Sequence, residues 1–253
     1  AVAAVGLGVK IGSDANKKKK GTNDYIKDPE GPFYKRAWWV SKKIDGVRTL
    51  GTLAVDEEGK DYISFTSRTG KPYGPAVRNF DRDSELIQFM KDNNCEIDGE
   101  IYRHGWHLDT IRGHAAKQTY VPERHDELCF YVFDIAKEEI EASDRVKILN
   151  KTEFTNPHII ALKHVYCISY DDIVAEHDKY VAQDFEGAMA RTTEGMYEFG
   201  KRSNNLWKFK MFEDDEFRIK GISEGARPED MCFVMLTDDD KEFDCKPIGG
   251  AEM

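Results

Sequence analysis

The sequence lacks three features that would each narrow the class of protein at once. It has no apolar run of roughly 18 residues, the length of a membrane-spanning helix, so we expect no association with a membrane. Its 5 cysteines are scattered without a Cys-x-x-Cys pair, which is typical of reduced thiols inside a cell and gives no indication of zinc. Positive charge is in deficit too, and the net charge of −10 argues against a simple basic nucleic-acid binder.

The charge is distributed unevenly along the chain. Lys and Arg outnumber Asp and Glu in residues 1–75, whereas residues 211–253 are strongly acidic. An apolar run at residues 1–11 precedes four lysines at residues 17–20, and a secretory signal peptide has the reverse order. We therefore expect a protein that is not secreted, with a buried element followed by a solvated basic loop at its start.

The most informative stretch of the sequence runs from Ser41 to Arg48. It lies between an apolar run and an alternating run at residues 47–55, a pattern that predicts a strand, a tight glycine turn and a second strand. Lys43 falls at the turn. Burial and neighbouring cations would both favour its neutral amine, which makes Lys43 a candidate nucleophile. The alternative is an ordinary hairpin turn at Asp45-Gly46 with a solvated lysine.

Two further groups of cations are candidate anion sites. A turn at residues 56–59 is predicted to join the strand at 47–55 to one at 62–66, which places Arg68 and Lys71 beside a glycine at a strand end. Lys208 and Lys210 alternate with aromatic residues, so both lysines face the same side of a strand. Each group could bind a phosphate. The alternative for Arg68 and Lys71 is an exposed turn, and the alternative for Lys208 and Lys210 is an edge strand whose lysines prevent pairing with another strand.

Acidic and aromatic residues supply the remaining candidates. Asp98 and Glu100 are two apart in a predicted strand and share a face, which Mg²⁺, a ribose hydroxyl or a charged edge strand would explain. Phe133 lies near the end of a strand at residues 128–136, where it either stacks on a base or packs in the core.

The pattern of apolar residues predicts three helices and a small C-terminal β unit. One helix is capped by Asp83, one falls within residues 137–151, and one covers residues 171–183 with His177 at the edge of the core. The C-terminal unit is expected to begin after residue 211 and to contain short strands at residues 217–222, 231–236 and 242–245.

Taken in chain order, the motifs resemble those of the covalent nucleotidyltransferases, and most closely the compact ATP-dependent DNA ligases of viral or phage type. The resemblance covers about residues 37–211. It rests on Lys43-Ile44-Asp45-Gly46-Val47-Arg48, Ser67-Arg68-Thr69-Gly70-Lys71, Asp98-Gly99-Glu100, Phe133-Asp134, Glu186-Gly187-Ala188-Met189-Ala190-Arg191 and Lys208-Phe209-Lys210.

The resemblance implies an α+β fold with two domains. Residues 1–211 would form a nucleotidyltransferase (adenylation) domain of antiparallel sheets with flanking helices. Residues 212–253 would begin an OB-fold β-barrel that is only partial, because about three of its five strands can be placed there. The last basic motif of the family, late in that barrel, is not visible in the sequence.

The resemblance also implies a role for each motif residue. Lys43 would be the catalytic nucleophile that becomes the lysyl-adenylate. The other nucleotide-binding residues would be Ser41, Lys42, Arg48, Arg68, Glu100, Phe133, Glu186, Arg202, Lys208 and Lys210. Glu100 and Glu186 would hold the metal, and DNA would contact Arg48, Arg68, Lys71 and Lys201.

The expected cofactors are ATP and Mg²⁺, or Mn²⁺ in its place. The expected partner is nicked duplex DNA, and the protein is expected to act as a monomer. We expect it in the cytoplasm, which would be that of a host cell if the protein is viral, or in the nucleus. Three alternatives stay open at this point. An RNA ligase and a capping guanylyltransferase share the lysine motif, and a non-catalytic nucleic-acid binder would share the fold.

Overall fold

The structure is a computed structural model that describes residues 4–11, 36–201, 203–214, 217–224 and 231–245. These residues form an α+β fold. Its strands are β1 (Ala4–Ile11), β2 (Trp38–Lys43), β3 (Val47–Val55), β4 (Asp61–Ser67), β5 (Glu96–Tyr102), β6 (Cys129–Ala136), β7 (Ile159–Ala161), β8 (Val165–Cys167), β9 (Gly187–Thr192), β10 (Leu206–Asp214), β11 (Arg218–Glu224), β12 (Met231–Leu236) and β13 (Glu242–Cys245). Its α-helices are α1 (Ser84–Asn93), α2 (Leu108–Ala115), α3 (Ala142–Lys151) and α4 (Tyr170–Val181).

The chain divides into two compact units. One consists of Leu7–Met211, and the other of Phe212–Met253 together with Ala1–Gly6. The described residues form two five-stranded sheets with the strand orders β1-β10-β9-β2-β8 and β4-β3-β5-β6-β7. The pairings are antiparallel throughout the second sheet except between β6 and β7, which run parallel. Within the described residues, no helix is both long enough and apolar enough to span a membrane.

The predicted hairpin between β3 and β4 is confirmed. The two strands pair in antiparallel register from Thr49 opposite Ser67 to Val55 opposite Asp61. Gly59 in the connecting turn has a φ of 79°, a conformation that glycine adopts without steric cost.

Two of the predicted helices lie close to where they were expected. Asp83 caps α1 by accepting a hydrogen bond of 2.8 Å from the backbone of Leu86. Helix α4 begins with a reciprocal capping box between Ser169 and Asp172. His177 on this helix is fully buried rather than at the edge of the core.

The third predicted helix occupies only the later part of the segment in which it was expected. Only Ala142–Lys151 of residues 137–151 is helical. The backbone amides of Ala142 and Ser143 donate to the carbonyls of Gly195 and Thr193, at 3.0 Å and 2.9 Å. Because the first amides of a helix have no partner within it, this contact from a distant segment sets where α3 begins.

The alternative of a charged edge strand is wrong for both pairs of residues to which it was applied. Strand β5, with Asp98 and Glu100, is the central strand of its sheet. Strand β10, with Lys208 and Lys210, lies between β1 and β9. The predicted alternation on β10 is correct, since Phe209 is buried and Lys208 is exposed.

Each sheet of the larger unit is covered by helices. The second sheet packs Ile97 and Phe130 against Leu86 of α1 and Ile111 of α2, and all four side chains are fully buried. The first sheet packs Trp38 and Phe209 together with Ile173 of α4 in a separate cluster. Burial of apolar surface at roughly 25 cal/mol per Å² stabilises both layers.

The C-terminal unit contains a three-stranded antiparallel sheet in the order β11-β12-β13. It leaves several large apolar side chains exposed, among them Ile219, Ile222 and Met231. The assignment of residues 212–253 to the start of an OB fold stays a prediction.

A buried ion cluster joins the two sheets. Asp134 of β6 accepts hydrogen bonds from Arg145 of α3, with 2.8 Å between Nε and Oδ1, and from Nη1 of Arg191 on β9. All three side chains are less than a tenth exposed. Burial alone would raise the pKa of Asp134, but the two arginines outweigh it and hold that pKa below its ordinary value.

We predict that Asp134→Ala destabilises the protein by about 3–5 kcal/mol, because two buried arginines lose their counter-charge. Urea unfolding of the variant and the wild type measures the difference. The matched control is Asp144→Ala, which removes an exposed carboxylate paired with Lys147 on α3. That change is expected to alter the free energy of unfolding by no more than about 0.5 kcal/mol. Equal effects of the two substitutions would contradict a structural role for the cluster.

Candidate active site

Lys43 and Glu186 meet although 143 residues separate them. Lys43 is the last residue of β2 and pairs with Gly187, the first residue of β9. Glu186 therefore comes directly before the point where the two strands align. Nζ of Lys43 contacts Oε2 of Glu186 in an ion pair, and both side chains are largely buried.

Gly187 allows the strands to approach this closely. A Cβ atom at this position would lie 2.2 Å from the carbonyl oxygen of Phe209, and its φ of 144° also favours glycine. On the other side of β9, Gly187 pairs with Lys210 of β10. The strand register thus brings two lysines to the same glycine from opposite sides.

The carboxylate of Glu186 lies between the two amines. Nζ of Lys210 is 3.2 Å from Oε1, while Lys43 contacts Oε2. Burial alone would raise the pKa of Glu186, but the bonds and charges of Lys43 and Lys210 hold it below its ordinary value. The sequence predicted cations beside Lys43. In the structure, a carboxylate contacts its amine directly.

Glu100 lies near this group. Its Oε1 accepts a hydrogen bond of 3.1 Å from the backbone amide of Gly46. A Cβ atom at position 46 would lie 2.3 Å from the carbonyl oxygen of Ile101, so the turn after Lys43 can approach β5 only with glycine there. Burial raises the pKa of Glu100 to about 7, although the charge of Lys43 and the bond from Gly46 oppose the shift.

Asp98 has partners different from those of Glu100. It is buried and binds Arg48 through both oxygens, at 3.0 Å to Nε and 2.5 Å to Nη2. A cation shared with Glu100, one explanation derived from the sequence, is therefore not needed to neutralise Asp98. The side chain of Arg48 is half exposed, and its guanidinium carbon lies 6.0 Å from the centre of the Phe133 ring.

Three further predicted nucleotide-binding residues are partly or fully buried. Phe133 is partly buried and packs against the core of the second sheet. Ser41 is almost fully buried on β2. Lys42 places its amine 4.3 Å from the centre of the Phe185 ring, and burial followed by the charge of Lys179 lowers its pKa.

Contacts among the described residues do not link the remaining candidates to Glu186. Arg68 and Lys71 are exposed in a turn that Ser67 closes through its backbone amide, 2.7 Å from the carbonyl of Lys71. Lys201 and Lys208 are also exposed. Arg202 lies outside the described residues.

Sequence reasoning missed some of the residues that bind the two buried aspartates, Asp98 and Asp134. These are Tyr197, which donates to Asp98, and the pair Arg145 and Arg191, which binds Asp134 next to Phe133. Arg191 belonged to a recognised motif, but its partner is 57 residues away and only the fold reveals it.

The described residues contain no cluster of three or more His, Cys, Asp or Glu side chains arranged around a metal. Mg²⁺ commonly takes one or two protein carboxylates and completes its shell with phosphate oxygens and water. The carboxylate of Glu186, about a quarter exposed, fits that requirement.

Comparison with known proteins gives consistent results. DNA ligase from African swine fever virus, strain Badajoz 1971 Vero-adapted, is 27% identical over 210 residues, which are 78% of this chain and 47% of that protein. The ligase of the Pig/Kenya/KEN-50/1950 isolate is 26% identical over 205 residues, with the same coverage. The chain thus spans about half the length of these curated relatives.

Solved structures share the fold. One from a structure-function analysis of Lig E DNA ligases has a TM-score of 0.60 at 16% identity and covers 85% of this chain and 79% of that one. The ATP-dependent DNA ligase of bacteriophage T7, in complex with ATP, has a TM-score of 0.50 at 19% identity and covers 84% and 75%.

A sequence model of one family matches most of the larger unit. That family is described as the ATP-dependent DNA ligase domain, and the match runs over residues 24–210. The matched segment includes Lys43, Glu186 and Lys210, the three residues that form the central ion pairs. The chain belongs to the family of ATP-dependent DNA ligase domains.

Proposed function

We propose that this chain transfers AMP from ATP to Lys43 and uses that adenylate to seal nicks in duplex DNA. The observation that carries the proposal is the group formed by Lys43, Glu186 and Lys210. It combines an amine nucleophile, a carboxylate and a second cation, which are the groups that phosphoryl transfer requires.

In the first step, Nζ of Lys43 attacks the α-phosphorus of ATP. A nitrogen–phosphorus bond forms, the bond to pyrophosphate breaks, and the amine gives up its proton. Nζ of Lys43 is bonded to Glu186 in the structure, so the amine must leave the carboxylate before it can attack phosphorus. Lys210 and the exposed Lys208 lie on the same face of β10, where they would neutralise charge that develops on the phosphate.

Glu186 is the carboxylate best suited to hold Mg²⁺, which would supply charge neutralisation at the phosphate oxygens when bound. Glu100 is the second candidate, either as a metal ligand or as the acceptor for a ribose hydroxyl. Phe133 would stack on the adenine, along which Ser41 and Lys42 would lie, and Arg48 would hold phosphate.

In the later steps, the 5′-phosphate at a nick takes AMP from Lys43, and the 3′-hydroxyl then displaces AMP and closes the strand. The names of the viral relatives support DNA as the substrate. The residues proposed to contact DNA phosphates are Arg48, Arg68, Lys71 and Lys201. Arg202 is proposed to bind the nucleotide instead. Contacts of this kind give binding that weakens steeply with salt. Action as a monomer, in the cytoplasm or the nucleus, stays a prediction.

We predict that Lys43→Ala abolishes covalent attachment of the nucleotide while the protein stays folded, because the substitution removes only the attacking amine. The measurement is incubation with ATP labelled at the α-phosphate and Mg²⁺, followed by a denaturing gel. Lys60→Ala is the matched control, since Lys60 is an exposed lysine in the turn after β3 and its loss is expected to leave the labelling unchanged.

The same gel separates the proposed function from its neighbours. Label from ATP alone, chased off by nicked DNA, is the expected result. Label from GTP would indicate a capping-type enzyme, and a chase by RNA ends alone would indicate an RNA ligase. Label on the Lys43→Ala variant would contradict the assignment of the nucleophile.

The raised pKa of Glu100 predicts an unusual dependence of stability on pH. Because burial raises that pKa from 4.5 to about 7, the folded state holds the proton more tightly than the unfolded state does. The stability that this proton contributes is fully present below pH 4.5 and is lost as the pH rises through about 7.

Relative to Glu100→Gln, the wild type should therefore become less stable across this window, as measured by urea unfolding on either side of it. Glu153→Gln, at an exposed glutamate, is the control and should show no such trend. A difference between wild type and Glu100→Gln that stays constant with pH would show that Glu100 is not protonated near neutrality. In that case its carboxylate would be available to a metal or ribose at every pH tested.

A further inference from the structure

Tyr197 belongs to the segment between β9 and β10, and that segment is anchored firmly. Its carbonyls at Thr193 and Gly195 accept hydrogen bonds from the first amides of α3. The backbone at Met196 forms an isolated bridge to Glu141, just before the helix. The position of the Tyr197 ring is therefore fixed by the fold rather than by its own contacts alone.

The side chain of Tyr197 is buried between two charged groups. Its hydroxyl donates a hydrogen bond of 2.7 Å to Oδ2 of Asp98. Its ring lies 5.8 Å from the guanidinium carbon of Arg145 and packs edge-on against Phe199, with 4.8 Å between ring centres. Burial and the Asp98 carboxylate both raise the pKa of Tyr197, so its hydroxyl stays protonated and remains a donor.

Asp98, which is held by Tyr197, in turn binds the guanidinium of Arg48. The same Oδ2 atom that accepts from Tyr197 also accepts from Nη2 of Arg48, while Oδ1 accepts from Nε. Paired bonds of this kind define the plane of a guanidinium as well as its position. Arg48 is half exposed and would have no fixed orientation without a carboxylate that is itself held in place.

We propose that Tyr197 is a positioning residue that orients Arg48, through Asp98, for binding phosphate. This inference rests on the proposed function, in which Arg48 meets the phosphate of the nucleotide and of the nick. Tyr197 itself touches neither, so it acts only through the guanidinium.

The test is a double-mutant cycle on the rate constant of lysyl-adenylate formation at saturating ATP. Tyr197→Phe removes the hydroxyl and keeps the ring. Arg48→Lys keeps the charge but cannot form the paired bonds to Asp98. Tyr197→Phe is expected to lower the rate constant about tenfold in the wild type, the effect of losing one hydrogen bond to a charged group. In the Arg48→Lys background it should have no further effect.

A purely structural role for Tyr197 predicts a different pattern. The rate constant would then fall by the same factor in both backgrounds, in proportion to the fraction unfolded, and that result would overturn the proposal. A Tyr197→Phe variant with the rate of the wild type would also overturn it. Tyr166→Phe is the matched control, because Tyr166 is exposed on β8 and its hydroxyl makes no hydrogen bond within the described residues.

Two provisions keep the result decisive. If Tyr197→Phe is partly unfolded, each rate constant is divided by the folded fraction measured at the assay temperature, and the comparison between the two backgrounds is made with the corrected values. The wild type is assayed first. Failure of the wild type to form any adenylate would count against the proposed function, whereas an active wild type with additive variants would count against Tyr197 alone.

Discussion

The ion pairs of Glu186 with Lys43 and Lys210 are the interactions on which the arrangement of the site depends. They exist because Gly187 pairs with Lys43 on one side and with Lys210 on the other. A side chain at position 187 would collide with the backbone of β10 and separate the strands. Strand register, rather than any local motif, therefore places the candidate nucleophile against its carboxylate.

The second half of the site comes from the other sheet. Glu100 and Arg48 stand on neighbouring strands β5 and β3, and Phe133 lies on β6 next to the buried Asp134. The turn at Gly46 links this sheet to Lys43, since its amide binds Glu100 directly. The buried cluster around Asp134 ties β6 to β9. Positions of the nucleophile and of the phosphate-binding side chains are thus coupled through backbone contacts and buried charge.

Local sequence patterns predicted the elements that local forces determine. The hairpin of β3 and β4 and the cap at Asp83 follow from glycine conformation, alternation and a side-chain hydrogen bond between near neighbours. The sequence left the start of α3 within residues 137–151 undefined, because distant carbonyls complete the first turn of this helix. Likewise, no pattern showed that Glu186 contacts Lys43 or that Tyr197 supports Asp98. Both contacts span about 100 residues or more, so they depend on how the strands are ordered.

Lys43 is the residue proposed to receive AMP. Peptide mapping by mass spectrometry, after the wild type is incubated with ATP and Mg²⁺, tests this assignment most directly. A single modified peptide is expected, with the mass of one adenylyl group located on Lys43. An adenylyl group on another lysine would contradict this assignment. On Lys42 it would make the preceding residue of β2 the nucleophile, and on Lys210 it would make the nucleophile the other lysine that contacts Glu186.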